Sequence, residues 1–170
     1  MSTRVLVLFL LCASPAYAEG RFTVSADYLA RHAESNPLAL GSADGRKAAN
    51  ISSWAIVGAE GAWYGTRIWG SSDGRKHRMM CEGLKMAATS LTVHGLKLLV
   101  HRERPDGSDD RSFPSGHTAW AALMNPGGWG YLFPLTVGAG RLLANRHYAS
   151  DVFAGFGIGE ALRLIPCGVA

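Results

Sequence analysis

The chain has 170 residues, 48% of them hydrophobic and 18% charged, with 17 Lys and Arg against 13 Asp and Glu for a net charge of +4. So modest an excess, with no polybasic run, argues against nucleic acid as a partner. It is compatible with anionic substrates or an anionic membrane surface, and the length suffices for one domain with a real core.

The first 18 residues read as an export leader. Arg4 supplies the basic start, residues 5–13 form a short apolar run, and Ala16-Tyr17-Ala18 fits a small-x-small cleavage site. Nine apolar residues are too few to cross a bilayer, which takes roughly 20. The mature chain is therefore expected to start at Glu19, to form one domain over 19–170, and to reside in the periplasm or outside the cell. Removing Arg4 leaves 16 basic against 13 acidic residues, a net charge near +3.

Beyond the leader, helical patterns dominate. Ser25 is placed to cap a short helix over 25–32. Asn36-Pro37 and residues 41–45 read as loops. Residues 46–68, mostly apolar and small with glycines at 58, 61 and 65, predict a helix or helix pair packed close to its neighbours. A glycine-bounded stretch over 70–74 punctuates the chain. Over 75–101 the residues Leu84, Ala87, Ala88, Leu91, His94, Leu98 and His101 recur at steps of three and four, the spacing of one helix face. Pro105 stops that helix, and 106–110 is a polar loop. Ser115 or Thr118 opens a short helix that Asn125-Pro126-Gly127-Gly128 breaks. Helices over 132–145 and 150–164 complete an all-α bundle. No mature segment offers about 20 uninterrupted apolar residues, so the domain is expected to be soluble or peripherally associated. Cys81 and Cys167 outlast the leader. Export permits a disulfide between them, and two free thiols acting as small hydrophobes are the other reading. Neither belongs to a metal-ligand spacing.

Three blocks carry the chemistry. In the first, Lys97, Arg104 and Pro105 form K-x6-R-P. Two helical turns apart, the two cations project from nearly one face, which is costly on an apolar helix unless an anion neutralises them. Arg suits bidentate contact with phosphate oxygens, and Lys adds a compact charge. In the second, Pro114-Ser115-Gly116-His117 sits at a loop-to-helix junction, where free backbone N–H groups and the helix dipole favour an anion. Gly116 lets the backbone approach a ligand closely. In the third, Arg141, His147 and Asp151 form R-x5-H-x3-D. At i and i+4 on a helix, His147 and Asp151 are neighbours. A carboxylate that accepts from one ring nitrogen leaves the other free to act.

Singly, each block has a bland reading: a solvated basic face that includes Arg102 and Glu103, a plain Ser cap, a surface His–Asp pair. Together, within 55 residues, they supply what a phosphoryl transition state needs, positive charge preorganised around its equatorial oxygens.

The spacings K-x6-R-P, P-S-G-H and R-x5-H-x3-D resemble the three-part signature of the type 2 phosphatidic acid phosphatase superfamily, which also holds bacterial class A acid phosphatases and vanadium haloperoxidases. The resemblance implies the compact all-α bundle of that group and a phosphatase that uses no metal or other cofactor. It implies that His147 is the nucleophile, forming a phosphohistidine and oriented by Asp151, and that His117 is the general acid. Lys97, Arg104 and Arg141, with Ser115 and the Gly116 backbone, would hold the phosphate.

The surroundings, Arg104-Pro-Asp-Gly-Ser, Ser112-Phe-Pro-Ser-Gly-His-Thr, Asn145-Arg-His and Ser150-Asp-Val, resemble the bacterial lipid-phosphatase branch. That branch acts on lipid A, undecaprenyl pyrophosphate or phosphatidyl phosphates, which implies a lipid-linked phosphate as substrate and peripheral contact with a membrane. The alternatives are a soluble nonspecific periplasmic acid phosphatase, a vanadium-dependent haloperoxidase, and a phosphate-binding module that has lost catalysis.

Three departures from the pattern stand out. Gly140 precedes Arg141 where the family has Ser. Pro126-Gly-Gly cuts the second block's helix after about two turns. The chain is short, with no evident set of membrane spans. His94 and His101 lie outside the signature and read as core or supporting residues, while Asp106, Asp109, Asp110 and Arg111 read as loop solvation. The oligomeric state is not legible.

Overall fold

The computed structural model describes residues 36–70 and 74–167. The expected leader over 1–18 and the expected helix over 25–32 lie outside the described residues. In chain order the elements are α1 (Ala43–Trp69), α2 (Arg75–Val100), α3 (Gly116–Met124), a 3-10 turn (Gly128–Tyr131), α4 (Leu132–Leu143) and α5 (Ala149–Arg163). The fold class is all-α, as the patterning predicts.

Local chemistry sets most of the boundaries. The Ser42 hydroxyl accepts the Gly45 N–H at 3.1 Å and caps α1. Residues 41–45, expected as a loop, thus supply the cap and first turn. The helix then runs unbroken through its glycines, one helix rather than a pair. His101 takes a left-handed backbone, φ 47°, and ends α2 at Val100 before Pro105 is reached. Asn125 and Pro126 end α3 where expected. At the start of α5 the Asp151 carboxylate accepts the Tyr148 N–H at 2.9 Å, one half of a capping box.

The core is built around α3, which touches all four other helices. Ala119, Ala121, Ala122, Leu123 and Met124 are all buried, as suits a helix apolar on every side. Glycines let its neighbours come close. A Cβ at Gly155 of α5 would lie 2.2 Å from the Ser115 carbonyl oxygen, and one at Gly159 would lie 2.1 Å from that of Ala119. A Cβ at Gly140 of α4 would lie 2.4 Å from the Ser53 hydroxyl of α1. Gly140 therefore has a packing reason: it brings α1 up against α4.

The side of α2 turned inward is the one bearing Lys85, Thr89 and Val93. Lys85 is tolerated there because Glu82 pairs with it at 3.3 Å, and Glu82 also accepts the Tyr64 hydroxyl. The recurrent leucines lie on the other side, Leu84 69%, Leu91 75% and Leu98 60% exposed. Periodicity identifies the helix and its apolar stripe but not what the stripe faces. Of the two readings of the cysteines, the structure has the disulfide, Cys81 to Cys167, tying the start of α2 to the segment after α5. Among the described residues no helix is long and apolar enough to cross a membrane.

Candidate active site

The three blocks converge where the loop after α2, the first turn of α3, the last turn of α4 and the start of α5 meet. His147 lies just before α5 rather than on it, and is 2% exposed. Its Nδ1 stands 2.7 Å from the Ser112 carbonyl oxygen. A carbonyl can only accept, so Nδ1 carries the hydrogen and Nε2 keeps its lone pair. Asp151 is 3.6 Å from that Nδ1, beyond hydrogen-bond length.

The expectation that Asp151 sets the tautomer is thus corrected: a backbone carbonyl sets it, and Asp151 contributes only its field. Two causes combine. The residues are not i and i+4 on one helix, and the Asp151 oxygens are already committed. Oδ1 accepts from Arg102 at 2.6 Å, and Oδ2 accepts from the Ser112 hydroxyl at 2.5 Å and from the Tyr148 N–H. Burial alone would raise the Asp151 carboxyl; His147, Arg102, Ser112 and Tyr148 together hold it below its usual range.

Arg102 is a site residue that sequence reasoning assigned to a solvated face. It is 7% exposed, also donates to the Ser150 hydroxyl at 2.6 Å, and lies 4.1 Å over the Tyr148 ring. Its one sequence signal is its place between Lys97 and Arg104.

Lys97 and Arg104 do not share a helix face, because α2 stops at Val100 and Arg104 stands in the loop. They meet instead over one carbonyl oxygen, that of Arg111, at 2.5 Å from Lys97 Nζ and 3.4 Å from Arg104. Arg104 also donates to Asp109 at 2.6 Å and to the Arg146 carbonyl at 3.1 Å, and its guanidinium lies 3.4 Å from His147 Nε2. Asp106 pairs with Arg146 at 2.7 Å and Asp110 with His101 at 2.8 Å. Most of that acidic loop therefore braces the arginines rather than merely solvating a turn. His94 and His101 are both exposed, outside the core.

Arg141, on the last turn of α4, is 3% exposed and donates to the Asn50 side chain of α1. On the next turn of α1, Trp54 packs edge-on against His117, ring centroids 4.0 Å apart at 81°. Sequence reasoning gave α1 no part in the site. His117 Nε2 is buried with no partner. Ser115 is fully buried; its hydroxyl is 3.0 Å from that of Thr118, and its N–H donates to the Asp151 carbonyl at 2.9 Å. Gly116 opens α3 beside it.

The electrostatics follow from this crowding of positive charge. Burial, and then the Arg104 charge, push Lys97 down to about 8. Burial and the same arginine lower Arg141 to about 10. Burial brings His147 down to about 4 despite Asp151, with Arg141 and Arg104 adding to the fall. His117 falls to about 3, through burial and then Arg141, His147, Arg104 and Lys97. An anion placed among these groups would push each of them back up. Among the described residues no group of three or more His, Cys, Asp or Glu could hold a metal ion.

Set beside known proteins, the chain is similar to the Lipid A 1-phosphatase of Porphyromonas gingivalis, 31% identical over 123 residues. The chain is a distant homologue of a lipid phosphatase. The match takes in 65% of this chain and 28% of that protein, so the chain spans little more than a quarter of its relative's length. No family model and no solved structure matches the chain.

Proposed function

We propose that the protein is a phosphatase that cleaves phosphomonoesters or pyrophosphates of a membrane lipid through a phosphohistidine intermediate. The observation that carries this reading is the state of His147. With Nδ1 donating to Ser112, its Nε2 keeps a lone pair that accepts only a long 3.4 Å hydrogen bond from Arg104, and the unpartnered Nε2 of His117 lies in the same positive field.

In the first step His147 Nε2 attacks phosphorus, the bond to the leaving oxygen breaks, and protonated His117 gives that oxygen its proton. In the second, neutral His117 takes a proton from water, the hydroxide attacks phosphorus, and the N–P bond breaks. Phosphate leaves, and both histidines return to their starting states. Lys97, Arg104 and Arg141, with the Gly116 N–H, stabilise the charge on the equatorial oxygens. The bound dianion also raises His117 from its low value, so that it holds the proton it must donate.

A lipid-linked substrate is supported by the lipid-phosphatase homologue and by the outward leucines at the site end of α2, Leu98 and Leu99, which directly follow Lys97. The Cys81–Cys167 disulfide supports an oxidising, exported location with peripheral contact at a membrane surface.

The test is phosphate release by the full chain and by His147→Ala, offered a detergent-solubilised lipid phosphate and p-nitrophenyl phosphate, with and without orthovanadate or EDTA. Vanadate-sensitive, EDTA-resistant release that vanishes in the variant is expected, with the lipid preferred. Equal turnover of the soluble ester would make it a nonspecific acid phosphatase. No release by the folded chain would overturn the enzymatic reading.

A further inference from the structure

The signature blocks account for the phosphate and the two histidines, but not for the surface against which the rest of a substrate would lie. That surface is on α1, whose residues stand in none of the three blocks. Asn50 reaches Arg141, and one turn later Trp54 stands against the ring of His117. Although it touches a largely buried imidazole, Trp54 is 59% exposed. Ile51, one turn back and on the neighbouring stripe, is 58% exposed. On the following turn the same stripe bears Gly58, where a Cβ would meet nothing within 4 Å. The indole therefore stands clear on that side, with open space beyond it.

Position then limits what can occupy that space. In the reaction proposed above, on which this inference rests, the leaving oxygen departs beside His117. The first atoms beyond that oxygen emerge close to the groups packed against the imidazole, and the exposed one among those observed is Trp54. An indole face is flat, apolar and electron-rich, and it suits a flat ring or the C–H face of a sugar better than a flexible chain or a second phosphate. We infer that Trp54 is a specificity-determining platform for the leaving group, selecting phosphates carried directly on a ring, sugar or aromatic, over phosphates on an acyclic alcohol.

The test compares the full chain with Trp54→Ala, Trp54→Phe and Trp54→Leu on four substrates. Glucose 1-phosphate and phenyl phosphate carry a ring at the ester oxygen; glycerol 3-phosphate and inorganic pyrophosphate do not. Loosening His117 would slow substrates with poorer leaving groups most, so the quantity read is the ratio of kcat/KM for glucose 1-phosphate to that for glycerol 3-phosphate, both of which release an alcohol. That ratio is expected to fall about tenfold in Trp54→Ala, the order one aromatic contact contributes. It should be restored largely in Trp54→Phe and not in Trp54→Leu. An unchanged ratio in an active enzyme, or rescue by Leu equal to that by Phe, overturns the platform and leaves the phosphatase reading standing. If the alanine variant does not fold, the Phe and Leu variants decide alone. No turnover of any of the four, or of a lipid phosphate, by the unmodified chain overturns both.

Discussion

The two oxygens of Asp151 are shared among Arg102, Ser112 and Tyr148, and only Arg102 brings a compensating charge. Both partners of that ion pair are buried, at 6% and 0% side-chain exposure. Replacing Arg102 with Met leaves a carboxylate buried without a counter-charge and is expected to cost about 3–5 kcal/mol in denaturant unfolding. Arg102→Lys, which keeps the charge but cannot reach Asp151 and Ser150 with the same fork, should fall between the two. Titration provides a second check. His117 and His147, near 3 and 4 when folded, take up protons on unfolding at any pH between those values and about 6.5. That erodes stability as pH falls. Glu60 is buried with neither oxygen paired and is pushed up by burial to about 7, so it acts in the opposite sense and loses stability as pH rises from its unfolded value. Two histidines outweigh one carboxyl between pH 4.5 and 6.5, where the unfolded chain holds about one proton more. The unfolding midpoint should therefore rise with pH across that window and level off near neutrality. Glu60→Gln should steepen the rise and His117→Gln should flatten it.

At the scale of the elements, the contact between α3 and α5 decides whether the Pro114-Ser115-Gly116-His117 turn is in place. Gly155 lets the α5 backbone approach the Ser115 carbonyl, and the next residue of that turn opens the helix bearing His117. Gly155→Ala must push the two helices apart and is expected to cost about 1–3 kcal/mol, with a further loss of activity as His117 shifts. Gly157 lies on the same helix, and a Cβ there would meet nothing within 4 Å. Gly157→Ala should instead stabilise by about 0.4–1 kcal/mol. Thermal melts of the two variants, with phosphatase assays at one temperature, separate helix propensity from packing. Gly140 belongs to the same class. A Cβ at this position would crowd the Ser53 hydroxyl, so close α1–α4 packing, and with it the reach of Asn50 to Arg141, depends on its absence.

At the scale of the molecule, α3 is held by neighbours on every side while several long apolar side chains remain outside, among them Leu91, Leu99 and Trp129. A bundle with so much of its apolar surface turned outward depends heavily on constraints other than its core. The Cys81–Cys167 bridge closes a loop of 86 residues between the start of α2 and the chain beyond α5. Removing both thiols as Cys81→Ser with Cys167→Ser should lower stability by about 2–4 kcal/mol, by restoring entropy to the unfolded chain. Dithiothreitol should lower the unfolding midpoint of the unmodified protein and leave that of the double variant unmoved. Equal midpoints in oxidised and reduced protein would count against the bridge as a stabilising element.

Taken by itself, the sequence determined what is local. Helix type follows from spacing along one stretch of chain, the end of α3 follows from Asn125-Pro126, and the three blocks follow from residue order, whereas the Ser42 cap and the left-handed His101 that ends α2 were not read from it. It also brought Lys97, Arg104, His117, Arg141 and His147 under suspicion together. Tertiary structure decided which way things face and what touches what. Leu84, Leu91 and Leu98 announce a helix but not the side it turns to the core, because a period fixes phase and not partner. Arg102 and Ser112 reach Asp151 across 49 and 39 positions of chain, and Asn50 reaches Arg141 across 91. Such bonds depend on helices crossing at glycines, and no window of sequence around either partner contains the other.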